Sequence, residues 1–134
     1  MKFFRSVTGT LALLISAGAA GAETPMTAEE FESHVEGRTL TFEANGQPYG
    51  IERYMDDRRV LWSVFDDHCA IGSWYPEGEA ICFIYDTAPD DPQCWFVYLE
   101  GDRLRTVLVD DPFGTPLYEA RESTEDMICP NFGS

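Results

Sequence analysis

From Arg38 onward, short runs of β-branched and aromatic residues are broken about every ten positions by turn residues. That spacing predicts a β meander, sandwich or barrel. Strands are expected over 38–44, 48–55, 58–65, 68–75, 79–85, 93–100, 103–109 and 116–121. Their punctuation is Asn45-Gly46, Asp56-Asp57, Asp66-Asp67, Pro76-Glu77-Gly78, the 86–92 loop, Gly101-Asp102 and Asp110-Asp111-Pro112, residues suited to tight turns. In the first strand Leu40 and Phe42 share one face, and Thr39, Thr41 and Glu43 the other, as a half-buried strand requires. Ile81–Tyr85 and Cys94–Leu99 are apolar on both faces and are expected to be covered on both sides, with the helix as the second cover. Hairpin links favour antiparallel pairing, and closure removes exposed edges. The expected fold is mainly β: an antiparallel up-and-down meander or small barrel of about eight strands with one short N-terminal helix.

That helix is written in Met26-Thr27-Ala28-Glu29-Glu30-Phe31. Thr27 is an N-cap, Glu30 completes a capping box, and Met26 is placed to staple against Phe31. Phe31 and Val35 lie four apart on one face, and Gly37 suits a left-handed stop. A helix this short is not stable alone, so it must dock on the sheet.

Ahead of it, residues 1–22 read as a signal peptide. Lys2 and Arg5 form a basic start, Leu11–Ile15 an apolar run too short to span a bilayer, and Ala20-Gly21-Ala22 a small-residue cleavage site. The remainder, 23–134, is expected to be a single disulfide-stapled β domain. The whole chain has 134 residues and a formal charge of −15, and losing Lys2 and Arg5, two positive charges, takes it to −17. No lysine remains after that cut. Such a charge disfavours nucleic acid and anionic membrane surface, both of which are bound by basic side chains. It is compatible with simple solubility or with attraction to a cationic partner.

Four cysteines in a small exported domain, without a Cys-x-x-Cys, predict two structural bridges. Four thiols allow three connectivities. If the two central strands form a hairpin about the 86–92 loop, Cys82 and Cys94 lie opposite one another, leaving Cys69 with Cys129. The chain-entropy model gives the shorter loop about 3 kcal/mol and the longer about 4 kcal/mol. The second bridge would tie down a strand-poor tail.

Candidate chemistry is sparse. His68, beside Asp66, Asp67 and Cys69, has the makings of a proton carrier, but neighbours on a strand point to opposite faces, so a solvated turn histidine is expected. His34 is expected on the surface, on the polar side of the helix. Asp-Asp pairs at 56, 66, 90 and 110 would suit calcium only if loops gathered them, and hydrated turns are the simpler reading. No HExxH, GxSxG, Walker A, GxGxxG or calcium-loop pattern occurs, and no cofactor or metal is expected. A glycosidase-type carboxylate pair is not readable from spacing. Trp62, Trp74 and Trp95, with Tyr75, Tyr85 and Tyr98, are the candidates for a small-ligand or sugar-binding wall. A barrel of this size is, however, expected to fill its interior with its own side chains, so core packing explains them first.

Gly72-Ser73-Trp74-Tyr75, Ile81-Cys82-Phe83-Ile84-Tyr85 and Cys94-Trp95, preceded by the Tyr54–Trp62 segment, resemble a family of small secreted proteobacterial proteins of unknown function with a GxW…CFxY…CW layout. The resemblance covers residues 38–100 and implies export, a calycin-like β-barrel or half-barrel, and paired cysteines at Cys82 and Cys94. It brings no catalytic residues.

The functional expectation is an exported binding or interaction module for a small ligand or a basic protein. The alternatives are a small carboxylate-dependent hydrolase and a structural envelope component.

Overall fold

The computed structural model describes residues 2–3, 9, 11–13, 23–66, 68–122 and 126–132. The expected leader, residues 1–22, lies outside the described residues apart from positions 2–3, 9 and 11–13, and none of those is in a helix or strand. Among the described residues no helix is long and apolar enough to cross a membrane.

Eight antiparallel strands follow one another around a closed barrel: β1 (Thr39–Ala44), β2 (Gln47–Tyr54), β3 (Arg59–Ser63), β4 (Ala70–Glu77), β5 (Ala80–Tyr85), β6 (Ala88–Glu100), β7 (Arg103–Leu108) and β8 (Leu117–Glu119). Closure is made by β8 on β1, with Phe42 opposite Glu119 and Glu43 opposite Tyr118. The helix α1 (Ala28–Val35) carries the full capping box between Thr27 and Glu30. Gly37, at φ +75°, takes the left-handed conformation that turns the chain into β1.

β4 is shifted to Ala70–Glu77, taking in Pro76 and Glu77 expected in the turn, β3 is shortened to Arg59–Ser63, and two further strands depart more from the sequence expectation. β6 begins at Ala88 rather than 93, because the turn at Asp86–Thr87 is tight and Tyr85 already pairs with Ala88. The ladder resumes at Phe83–Gln93, so residues 89–92 bulge out against Ile84 alone. Pro89 and Pro92 have no N–H to give the ladder, which favours the bulge there. β8 spans three residues instead of six.

The helix does not lie over the outside of the sheet. It stops one end of the barrel, sending Phe31 and Val35 into a core with Leu40, Phe42, Tyr54, Val60, Trp74, Ile81, Phe83, Val97, Leu104 and Leu117. Phe31 meets Tyr54, Trp74 and Phe83 edge to face at 5.8, 5.0 and 6.2 Å. This corrects the expected two-sided cover of β5 and β6. Ile84, Phe96 and Tyr98 remain partly exposed, and Arg105 stacks on the Tyr98 ring at 4.5 Å. The strands with a second apolar cover are β2 to β4, where outward-facing Ile51, Leu61 and Ile71 pack under Met127 and the Cys69–Cys129 disulfide.

That disulfide is one of two; the other joins Cys82 to Cys94 across β5 and β6. Asn131 adds to the first staple by accepting from Cys69 N–H at 3.1 Å and donating to Cys69 C=O at 2.9 Å. The tail is therefore both crosslinked and hydrogen-bonded to the start of β4. Two disulfides are consistent with folding in an oxidising compartment.

Candidate functional site

With α1 at the end of the barrel where β1 begins, the turns after β2, β4 and β6 share that closed end. The turns after β1, β3, β5 and β7 surround the other, open end. Between them is a cavity of about 320 Å³, floored by Phe31 and Tyr54 and reaching Tyr49, Val64, Thr87 and Asp91 at the open rim. The interior is thus not filled by its own side chains as the small-barrel argument predicts. A volume near 300 Å³ sits at the lower bound of small-molecule pockets.

Two glycines make room for the cavity's rings. A Cβ on Gly50 would sit 2.2 Å from the Trp62 indole, and one on Gly72 would sit 2.8 Å from the Tyr85 ring and 2.2 Å from the Ile84 carbonyl oxygen. Trp62 and Tyr85 therefore pass close against bare backbone of the neighbouring strand, which is where an aromatic lining can form in a narrow barrel.

Glu52 is the one charged group in the wall that is wholly buried, at 2% exposure. Among the described residues its sole hydrogen-bond partner is the Tyr85 hydroxyl, which donates to Oε1 at 2.9 Å and Oε2 at 3.1 Å. Burial pushes the Glu52 carboxyl well above the usual range, and the Tyr85 hydrogen bond opposes this only in part. Burial also raises Tyr54 and Tyr85, with the nearby Glu52 charge adding to the shift.

Glu52 faces inward because β2 is bulged. Ala44 pairs with Gln47 and Glu43 with Pro48, but Phe42 then pairs with Gly50, leaving Tyr49 as an extra residue. The slip rotates Gly50, Glu52 and Tyr54 to the inside and sends Ile51 outward under the tail. It also leaves Tyr49 at the rim, its ring 6.1 Å from that of Trp62.

Of the three tryptophans singled out from sequence, Trp62 and Trp95 line the cavity. Trp74 does not; it is packed against Phe31 at the closed end, with the Arg58 guanidinium 4.5 Å over its ring. Sequence reasoning missed Glu52 and Gln93, and it named Tyr85 only for its aromatic ring. His68 is exposed at a turn whose Asp66 side chain accepts from its N–H at 3.1 Å, and its Nδ1 lies 3.4 Å from Asn131 Nδ2.

His34 is not a surface residue. Its side chain is 15% exposed, with Nε2 2.8 Å from Glu119 Oε2. His34 reaches from α1 to Glu119, inward-facing on β8 at the closed end. Glu119 also accepts from Arg38 at 3.1 Å and from the buried Leu104 N–H at 2.9 Å.

The acidic pairs separate by end. Asp56-Asp57 lies in the turn between β2 and β3 at the closed end, while Asp66, Asp90-Asp91 and Asp110-Asp111 surround the open one; Asp67 is outside the described residues. Among the described residues the one grouping with metal-ligand spacing is Glu77, Cys82 and Cys94, and both of its sulfurs are tied in the disulfide. No family model, curated protein or solved structure matches this chain, so the GxW…CFxY…CW resemblance gains no support beyond the barrel and the two disulfides.

Proposed function

We propose that the protein is an exported carrier or sensor that takes a small, largely apolar ligand into its barrel. The observation that carries this reading is the aromatic-walled cavity left open at the end opposite the helix, with one buried polar pair, Glu52 and Tyr85, inside it. Apolar walls supply burial and a few polar groups supply orientation, which is the usual composition of a small-molecule pocket. The leader-like N-terminus and the two crosslinks support a periplasmic or secreted location.

The test is saturable uptake of the uncharged dye N-phenyl-1-naphthylamine, followed by its fluorescence and by quenching of the cavity tryptophans. Uptake at one site is expected. Ala70→Phe, which places a ring in the cavity wall, should abolish uptake while the far-ultraviolet spectrum stays that of the wild type. Absence of uptake by the wild-type protein ends the proposal.

A second reading, docking of a basic protein at the open end, is supported by the rim itself. Phe113, Val64 and Phe65 are exposed there at 99%, 51% and 38%, next to Asp66, Asp110 and Asp111. A protein partner would be retained at low salt and released as screening increases.

A further inference from the structure

We infer that the ligand is an apolar amine, its protonated nitrogen held against the Glu52 carboxylate and its carbon skeleton against the surrounding rings. This rests on the small-ligand reading and specifies its chemistry.

The first observation is a missing counter-charge. Among the described residues that line the cavity there are two carboxylates, Glu52 and Asp91, and no lysine, arginine or histidine. The only partner of Glu52 among the described residues is a neutral phenol. A carboxylate taken out of water needs a cation or several donors, and the described residues supply neither. The other buried inward glutamate, Glu119, has both. The chain evidently can furnish partners for an inward glutamate, and for Glu52 the described residues do not.

The second observation is the wall. Trp62, Trp95, Phe42, Phe83 and Tyr85 line the cavity, and aromatic rings attract a cation and bury the carbons attached to it. The third is the entrance, where Asp91 reaches the cavity and Asp66, Asp90, Asp110 and Asp111 lie around the rim. Such a rim concentrates cations and repels anions. A fatty acid or a phosphate would bring like charge past that rim and against Glu52, and an alcohol would gain one neutral hydrogen bond without relieving the carboxyl of its isolation. When the ammonium binds to a protonated Glu52, the carboxyl proton leaves to solvent and the carboxylate remains paired with the ligand.

The experiment compares octylamine, 1-octanol and octanoate as displacers of N-phenyl-1-naphthylamine at pH 7.5, on the wild type and on Glu52→Gln. Octylamine should displace the dye at a concentration at least about tenfold below that of octanol, as a charge-assisted hydrogen bond predicts, with octanoate the weakest. In Glu52→Gln the amine should fall to the level of the alcohol, each displacement being read against the dye affinity measured on that variant. If octanol or octanoate equals the amine on the wild type, or if the variant keeps the preference, the amine inference fails and the cavity reading survives. If the wild type takes up no dye, both fail. Should the variant not fold, the ranking on the wild type decides alone.

Discussion

Two buried glutamates face the barrel interior, Glu119 beside the helix and Glu52 in the cavity wall, and the chain treats them differently. Glu119, at 4% exposure, is enclosed by His34 from the helix, Arg38 from the start of β1 and the Leu104 N–H from β7. Glu52, at 2%, has a phenol hydroxyl and borders the cavity. Burial is the same, so burial is not what marks a functional group. Compensation is. Where the protein completes the shell of a charged group, that group holds the fold together; where it leaves the shell incomplete beside a cavity, the missing part can come from a ligand. On the proposed reading the helix end is a structural joint and the cavity a receptor site, although both are built from inward positions of barrel strands.

The largest effect that tests this division is at the helix plug. Phe31→Ala removes a ring that is 1% exposed and meets three others edge to face, and should cost about 4 kcal/mol in a urea unfolding measurement. Tyr49→Ala at the open rim, where the ring is 48% exposed, should cost less than about 1 kcal/mol yet weaken dye uptake. Comparable destabilisation by the two substitutions would erase the contrast between joint and receptor.

Next in size is Glu119→Ala, expected to cost about 3 kcal/mol. It leaves the Leu104 N–H buried without an acceptor and takes the anion from between His34 and Arg38. Dye uptake in the cavity should be unchanged at temperatures where the variant remains folded. A variant as stable as the wild type would show that the shell around Glu119 is ornamental.

Much of the closed end was legible in the sequence, because its signals are local. Thr27 and Glu30 are three apart, Phe31 and Val35 share a helix face, and Gly37 follows at once, so the capped helix could be placed without knowing the fold. The strands were legible from turn chemistry: at Asn45-Gly46 both residues have positive φ, 51° and 74°, as a two-residue hairpin turn requires. The candidate site was not legible. A regular hairpin about Asn45-Gly46 would pair Phe42 with Tyr49 and point Ile51 inward, giving a plausible apolar core and an exposed Glu52. The bulge after Pro48 shifts the register by one, and in a strand one residue exchanges inside for outside. Pro48, unable to donate to the ladder, was the available hint. His34 was misplaced for a related reason: its partner Glu119 is 85 positions away and meets it only after β8 closes on β1. The cavity itself depends on Gly50 and Gly72 accepting rings from neighbouring strands, a relation that exists only once the strands are in register.

The smallest expected effect is the sharpest, because it has opposite signs at the two glutamates. Glu52→Gln keeps an acceptor for the Tyr85 hydroxyl and removes the need to ionise a buried group, so it should stabilise the ligand-free protein where Glu119→Ala destabilises it. The sign follows from proton binding. Burial raises the folded-state value of Glu52 above its ordinary 4.5, so at intermediate pH the folded protein retains a proton that the unfolded chain has lost. That contribution to stability is fully present below about 4.5 and is lost as pH rises through the raised value. The other titratable groups lining the cavity are Tyr49 and Tyr54 on the same strand, Tyr85 on β5 and Asp91 on β6; Tyr54 and Tyr85 are pushed above 10 and do not titrate in this window. Unfolding midpoints of wild type and Glu52→Gln should therefore be close at pH 4 and diverge toward pH 8, with the variant ahead. A saturating amine should close that gap, since it stabilises the ionised wild type and finds no carboxylate in the variant. Parallel curves across the range would mean that Glu52 is as well served in the empty protein as Glu119 is, and that the cavity has no unfilled charge for a ligand to complete.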